Sequence, residues 1–209
     1  MQTVFLILAA YLSGSIPFGV IVAKLKGVDI MAVGSGNTGA TNVTRVLGWR
    51  LGMLVFALDI LKGVGPAVLA KSVTGRDDMA VFMGVVAVFG HMLSPFLKFK
   101  GGKGVATSLG ALLGSAPLVG VIGFGVFLAL FFVARIVSLS SLIAAIAVLV
   151  SGYLLGQGWA FFVVFGPLVA YIFIRHRSNI GRILKGEEPK LEFKKKAEPK
   201  EEDEDDGSA

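Results

Sequence analysis

The reading of this chain turns on Phe96–Ala116, FLKFKGGKGVATSLGALLGSA. Lys98, Lys100 and Lys103 crowd there with Gly101, Gly102 and Gly104, between two apolar segments. Glycine takes positive φ at little steric cost and lets backbone N–H groups turn toward an anion. A helix starting near Val105 adds the partial charge of its N-terminus, and Lys103 a full one. Phosphate is the ligand that suits such a loop. The competing reading is a basic cytoplasmic loop that only anchors its flanking helices at lipid headgroups. A nucleotide P-loop is excluded, because Leu97 stands where its first Gly belongs and Gly104 where Ser or Thr should follow the lysine.

The second half of the stretch decides the topology. Val105–Ala116 is short for a core of ~30 Å, and either crosses at a strained length or is re-entrant. Apolar spans recur at Thr3–Ala23, Leu51–Lys71, Met79–Leu97, Leu118–Ala134, Leu139–Leu155 and Trp159–Ile174. If Val105–Ala116 crosses, 12 Lys and Arg face the cytoplasm ahead of the C-terminal tail and 2 lie outside, with Lys62 in the membrane. If it does not, Arg135 and the basic run Arg175–Lys185 fall outside, against the positive-inside rule. Charge parity therefore predicts an all-α, polytopic membrane protein with seven transmembrane helices, the fourth short. The N-terminus lies outside and the C-terminus in the cytoplasm. A cleaved signal peptide is disfavoured, since no positive residue precedes Thr3–Ala23 while Lys24 and Lys26 follow it.

Composition agrees with that class: of 209 residues, 55% are hydrophobic and only 16% charged. The absence of cysteine excludes disulfides and thiolate metal sites, and two histidines are too few for a metal centre. No cofactor is expected. The net charge of +6 divides unevenly: residues 1–186 carry 15 Lys and Arg against 4 Asp and Glu, residues 187–209 carry 5 against 10. Residues 1–188 are expected to form one integral membrane domain, and 189–209 a charged, disordered cytoplasmic tail. No soluble domain presents the positive charge to a nucleic acid, so that partner is excluded.

In this topology three polar clusters share the cytoplasmic side. The first, GSGNTGATNVTR at 34–45, joins glycines to Ser35, Asn37 and Asn42, with Arg45 able to clamp an anion bidentately. Its bland alternative is an ordinary turn within a polar loop over 27–50. The second is the lysine–glycine loop, with His91 upstream. The third is HRSNIGR at 176–182, followed by Glu187 and Glu188; in a helix His176 and Asn179 share a face. A basic juxtamembrane anchor explains its arginines but not His176 or Asn179. Asp59 and Lys62, three residues apart inside a span, are read as a mutually neutralising pair, and His91 as a satisfied buried histidine. Ser138, Ser140 and Ser141 are expected to cap the helix after Arg135, with Ser141 close enough to reach a ligand.

Taken together, GSGNTGATNVTR (34–45), GHMLSPFLKFKGGKGVAT (90–107) and HRSNIGRILKGEE (176–188) resemble the PlsY family, the bacterial integral-membrane acylphosphate:glycerol-3-phosphate acyltransferases. The likeness covers roughly residues 1–190. It implies transfer of a fatty acyl group from a long-chain acyl phosphate to the 1-hydroxyl of glycerol 3-phosphate, giving lysophosphatidate and phosphate for phospholipid synthesis. It also implies a site at the cytoplasmic face of the bacterial inner membrane, lined by Ser35, Asn37 and Arg45 and completed by His176, Asn179 and Glu188. Gly101, Gly102, Lys103 and Gly104 would bind a substrate phosphate, with Ser141 a further contact. A soluble acylphosphate-producing enzyme would be a partner on the basic face.

The chemistry of the residues is compatible with that function. An acyl phosphate is already activated, so its leaving group needs charge stabilisation more than a strong acid. The HxxxxD arrangement of other glycerolipid acyltransferases is missing, because Phe96 and Gly181 stand where the Asp would follow His91 and His176. Direct attack without an acyl-enzyme is therefore expected. A transporter of a phosphorylated solute is the alternative, but beyond Asp59 and Lys62 the spans offer few polar groups toward the outer face.

Overall fold

A computed structural model describes residues 1–191. Among them every regular element is helical: α1 (Gln2–Ser15), α2 (Phe18–Lys24), α3 (Ala40–Leu47), α4 (Trp49–Thr74), α5 (Asp77–Met92), α6 (Val105–Ser115), α7 (Pro117–Ala134), α8 (Val137–Leu154), α9 (Trp159–Arg175) and α10 (Arg177–Leu184). A 3₁₀ turn, Pro95–Leu97, follows α5. The segments Gln2–Lys24, α4, Asp77–Leu97, α7 and α8 are long and apolar enough to cross a bilayer. The α9 helix bends by 60° into α10, and the pair together passes the same test. Leu8, Leu12, Phe132 and Val133 stand exposed, as lipid-facing side chains do. The molecule is a multi-pass membrane protein.

The α6 helix, only eleven residues long, is enclosed by α4 and α5 at backbone contact. A Cβ on Gly63 would fall 2.2 Å from the Thr107 carbonyl, and one on Gly110 would fall 2.0 Å from that of Ile60. Small residues at such crossings let helices gain dispersion energy without a hydrophobic driving force between them. Val88, Met92, Leu112, Val119, Phe165 and Leu168 complete the core around it.

The first span breaks between α1 and α2, where Pro17 cannot donate a backbone hydrogen bond. The carbonyls left over are capped from other helices. Lys62 Nζ donates to Ile16 O at 2.8 Å, and Ser94 Oγ to Ser15 O at 2.7 Å. Lys62 is also 2.7 Å from Asp59 Oδ1, both side chains being 3% exposed. Its hydrogen bond is aimed at Ile16, so the carboxylate oxygen receives charge rather than an aligned donor. The two charges neutralise one another, as expected, and Asp59 also lines the cleft described below. The His91 ring is 3.7 Å from the same oxygen, too far for the hydrogen bond expected of it.

Residues 27–50 are not a continuous loop. They contain α3, and α4 begins at Trp49. An eight-residue helix rich in Thr and Asn has weak intrinsic propensity, but Val43 is fully buried against Ile30 and Val55. Tertiary packing supplies what propensity does not.

Candidate active site

A cleft of about 360 Å³ opens between α3, α4, α7, the start of α8 and the α9–α10 bend. It gathers nearly all of the predicted side chains. Ser35, Asn37 and Arg45 line one wall, Lys103 and Gly104 the floor, and Ser141, His176, Asn179 and Glu188 the other wall. Gly101 and Gly102 lie behind the floor, buried.

The first motif is pinned by Asn42, which the sequence offered only as one polar member of the cluster. Asn42, 1% exposed, accepts the Ser35 N–H at 2.8 Å and donates to Ile30 O and Val33 O, both at 3.1 Å. Gly34 and Gly36, at φ +62° and +66°, make the turn, and Asn37 Oδ1 accepts the Gly39 N–H at 2.9 Å. Arg45 is one turn past Asn42 on the exposed side of α3 and donates to Pro189 O at 3.2 Å.

The lysine–glycine loop departs from the expected nest. The N–H of Gly101 donates to Met92 O at 3.1 Å and that of Gly102 to His91 O at 3.2 Å, so neither faces the cleft. These glycines are required for clearance instead: a Cβ on Gly101 would fall 2.0 Å from His91 O, and one on Gly102 2.1 Å from His91 Nε2. Their carbonyls are held by Arg175, at 2.6 and 3.1 Å. Sequence reasoning had placed Arg175 in a general basic run; its position just before His176 was the only signal. Gly104, at φ +83°, then caps α6 and directs that helix's N-terminus at the cleft beside Lys103. The cationic end of the site is therefore Lys103 plus a helix terminus, not a glycine nest.

Opposite lies a relay. Lys103 Nζ donates to Asn179 Oδ1, and Asn179 Nδ2 to Glu188 Oε1. Ser138 Oγ donates to the same Glu188 oxygen at 2.7 Å, and Arg182 Nε to the other at 2.7 Å. Burial raises the affinity of Glu188 for a proton, but the donors Asn179, Ser138 and Arg182 outweigh it and hold the carboxyl below its usual range. Glu188 is a brace with both oxygens engaged. Burial, only partly offset by the Glu188 charge, pushes Lys103 down to about 8. His176, 2% exposed, donates from Nδ1 to Ile172 O at 2.9 Å, leaving Nε2 as an acceptor. Burial first, then the charge of Lys103, push it down to about 4. Its imidazole is neutral at pH 7.

The serines after Arg135 do not cap α8. The N-cap is Ile136, while Ser140 and Ser141 donate back to the carbonyls of Ile136 and Val137 at 3.0 and 2.8 Å. Residues 189–191, assigned to the tail by composition, bond to the body: Pro189 O to Arg45, and Leu191 N to Arg135 O at 2.8 Å. The remainder of the proposed tail lies outside the described residues.

Residues 4–186 match the family described as glycerol-3-phosphate acyltransferase. The chain belongs to that family. It is similar to the glycerol-3-phosphate acyltransferase of Aquifex aeolicus, 49% identical over 90% of this chain and 98% of the relative. A Desulforamulus reducens protein of the same description is 43% identical over 93% of this chain and 98% of its own length. Two crystal structures of PlsY, an integral membrane glycerol 3-phosphate acyltransferase, superpose on it. The glycerol 3-phosphate form gives a TM-score of 0.88 at 46% identity, covering 92% of this chain and 96% of that one. The lysophosphatidic acid form gives 0.86 at 45%, covering 92% and 97%. The likeness implied by the three motifs is thus borne out, and an acyltransferase rather than a transporter is what the family provides.

Proposed function

We propose that the protein transfers a fatty acyl group from an acyl phosphate to the sn-1 hydroxyl of glycerol 3-phosphate, releasing lysophosphatidic acid and inorganic phosphate. The observation that carries this reading is one cleft in which Arg45, Lys103 and the N-terminus of α6 converge, with an apolar cavity adjoining it across Phe56, Phe124 and Phe127. Two anionic groups and one aliphatic chain match both halves of the reaction. Arg45 and Lys103 hold the phosphates, exchanging Pro189 O and Asn179 for substrate oxygens. Ser35 and Asn37 on one wall and Ser141 on the other orient the reactants, and Asn179 with Glu188 fixes the approach of Lys103.

In the transfer the acceptor oxygen bonds to the acyl carbon, and the bond from that carbon to the phosphate oxygen breaks. The hydroxyl proton needs a base. The acceptors within reach are a substrate phosphate oxygen and His176 Nε2, whose basicity burial and the Lys103 charge lower. We assign the proton to the phosphate oxygen, with His176 accepting a hydrogen bond that aims the hydroxyl. No acyl-enzyme forms.

The seven crossings are the α1–α2 pair and α4 to α9, with the N-terminus outside and the site open to the cytoplasm of a bacterial inner membrane. At roughly 16 Å, α6 spans half of the hydrocarbon, and the cleft above its N-terminus takes up the missing depth. The basic rim suits a soluble enzyme that produces acyl phosphate. The test is a purified preparation in detergent with palmitoyl phosphate and glycerol 3-phosphate, following phosphate and lysophosphatidate. Product from acyl phosphate but not from acyl-CoA, abolished in Lys103→Ala, supports the reading; an acyl group found on Ser35 by mass spectrometry refutes the direct transfer.

A further inference from the structure

Below the cleft lies a second cavity, between α6, α7, α8 and α9. Among the described residues, no charged one lines it. Phe56, Val105, Phe124, Phe127 and Ser141 line both it and the cleft, so the two spaces adjoin across these side chains. The rings of Phe56 and Phe124 stack across the junction at 6.3 Å, and Phe124 and Phe127 at 6.1 Å. Flat apolar walls of this kind guide a flexible chain without fixing it by hydrogen bonds.

The depth of the cavity is bounded on each helix by one lining residue. From Ser141 it runs along α8 to Val148, from Val105 along α6 to Leu112, and from Ile172 along α9 to Phe165. Each run covers seven residue steps, roughly 10 Å at about 1.5 Å per residue. The space is therefore a finger parallel to the helix axes. Its far end is closed by the approach of α7. A Cβ on Gly123 would fall 2.6 Å from Val148 Cγ2, and one on Gly120 3.1 Å from Leu112 Cβ. Between mouth and end, the α8 wall is Ala144 and Ala145, each 9% exposed, which leave the bore open.

We infer that this finger measures the acyl chain: Leu112 and Val148 set the longest chain that fits, and Ala144 sets whether a long chain enters at all. The inference rests on the acyl-transfer reading above and adds which side chains select the donor. A chain that ends against packed side chains gains burial with each methylene until the end is reached, and one methylene beyond it must displace Leu112 or Val148.

The test is competition among decanoyl, lauroyl, myristoyl, palmitoyl and stearoyl phosphates at equal concentration, with the chain profile of the lysophosphatidate read by mass spectrometry. Ala144→Leu should lower the ratio of long-chain to decanoyl product by about tenfold or more while decanoyl turnover persists, a magnitude typical of one or two excluded methylenes. Val148→Ala should shift the profile toward stearoyl. Persisting decanoyl turnover reports that the variants fold. A wild-type profile in both variants overturns the inference. A second readout does not need turnover: the chain has no cysteine, so Val148→Cys offers one thiol to N-ethylmaleimide. Palmitoyl lysophosphatidate should protect it and decanoyl lysophosphatidate should not. Equal protection by both, or by neither, overturns the inference; protection with no turnover of any acyl phosphate would leave the finger standing and remove the donor reading.

Discussion

The imidazole of His91 fills the volume that a side chain at position 102 would need, with Nε2 only 2.1 Å from where a Gly102 Cβ would stand. The neighbouring glycine meets backbone instead, 2.0 Å from the His91 carbonyl. The two glycines are therefore separable by experiment. Gly102→Ala should reduce activity at least about tenfold, a loss of roughly 1.4 kcal/mol, and His91→Ala in the same chain should restore much of it by making room. Gly101→Ala should be equally damaging and should not be rescued. Equal rescue of both, or of neither, would contradict the assignment of clearance to the His91 side chain.

The alkaline limb of the pH profile should belong to Lys103. Burial lowers it to about 8, so its cation is present below that pH and is lost as pH rises through it. The free-enzyme profile, kcat/KM for glycerol 3-phosphate, should therefore fall above about pH 8. In Lys103→Arg the guanidinium stays charged, so whatever activity remains should lack that limb. A limb that persists unchanged would assign it elsewhere.

Arg175 should act on the loop without touching substrate. Its guanidinium holds the carbonyls of Gly101 and Gly102 at 2.6 and 3.1 Å, and hydrogen bonds from a charged donor contribute about 1.5–3 kcal/mol. Arg175→Gln is expected to lower kcat/KM for glycerol 3-phosphate by about 10- to 100-fold. The alkaline limb should also move to higher pH, because the Arg175 charge is one of the groups that lower Lys103. Helix content by circular dichroism should stay at the wild-type value.

Lys62 should matter for stability more than for turnover. It neutralises Asp59 at 2.7 Å and caps the Ile16 carbonyl at 2.8 Å beside the Pro17 break. Lys62→Met leaves a buried carboxylate without its cation and the Ile16 carbonyl with only the Phe18 N–H at 3.1 Å, a cost of about 3–5 kcal/mol, and should lower the melting temperature in detergent by scanning fluorimetry. Asp59→Leu with Lys62→Met removes both charges and should recover part of the loss. A double variant less stable than the single would argue that Asp59 has a further partner.

The class of the molecule and most of the residues that line the candidate cleft were legible in the chain alone. Hydrophobic run lengths and the positions of Lys and Arg are local properties governed by one solvent, the bilayer, so six apolar spans and the short seventh segment at Val105–Ala116 could be read directly. The three motifs are contiguous stretches, and their residue types reveal anion chemistry before any contact is known. The division of labour within the site was not legible, because it depends on which group faces which across a gap of many residues. Only the packed structure decides that Asn42 holds Ser35, that Arg175 clamps Gly101 and Gly102 from 74 and 73 residues away, and that Glu188 braces Asn179. It alone turns the glycine N–H groups toward α5, where the carbonyls of His91 and Met92 meet them. The helix at Ala40–Leu47 belongs with these, since the buried face that forms it, Val43 on Ile30 and Val55, exists only after α2, α3 and α4 have come together.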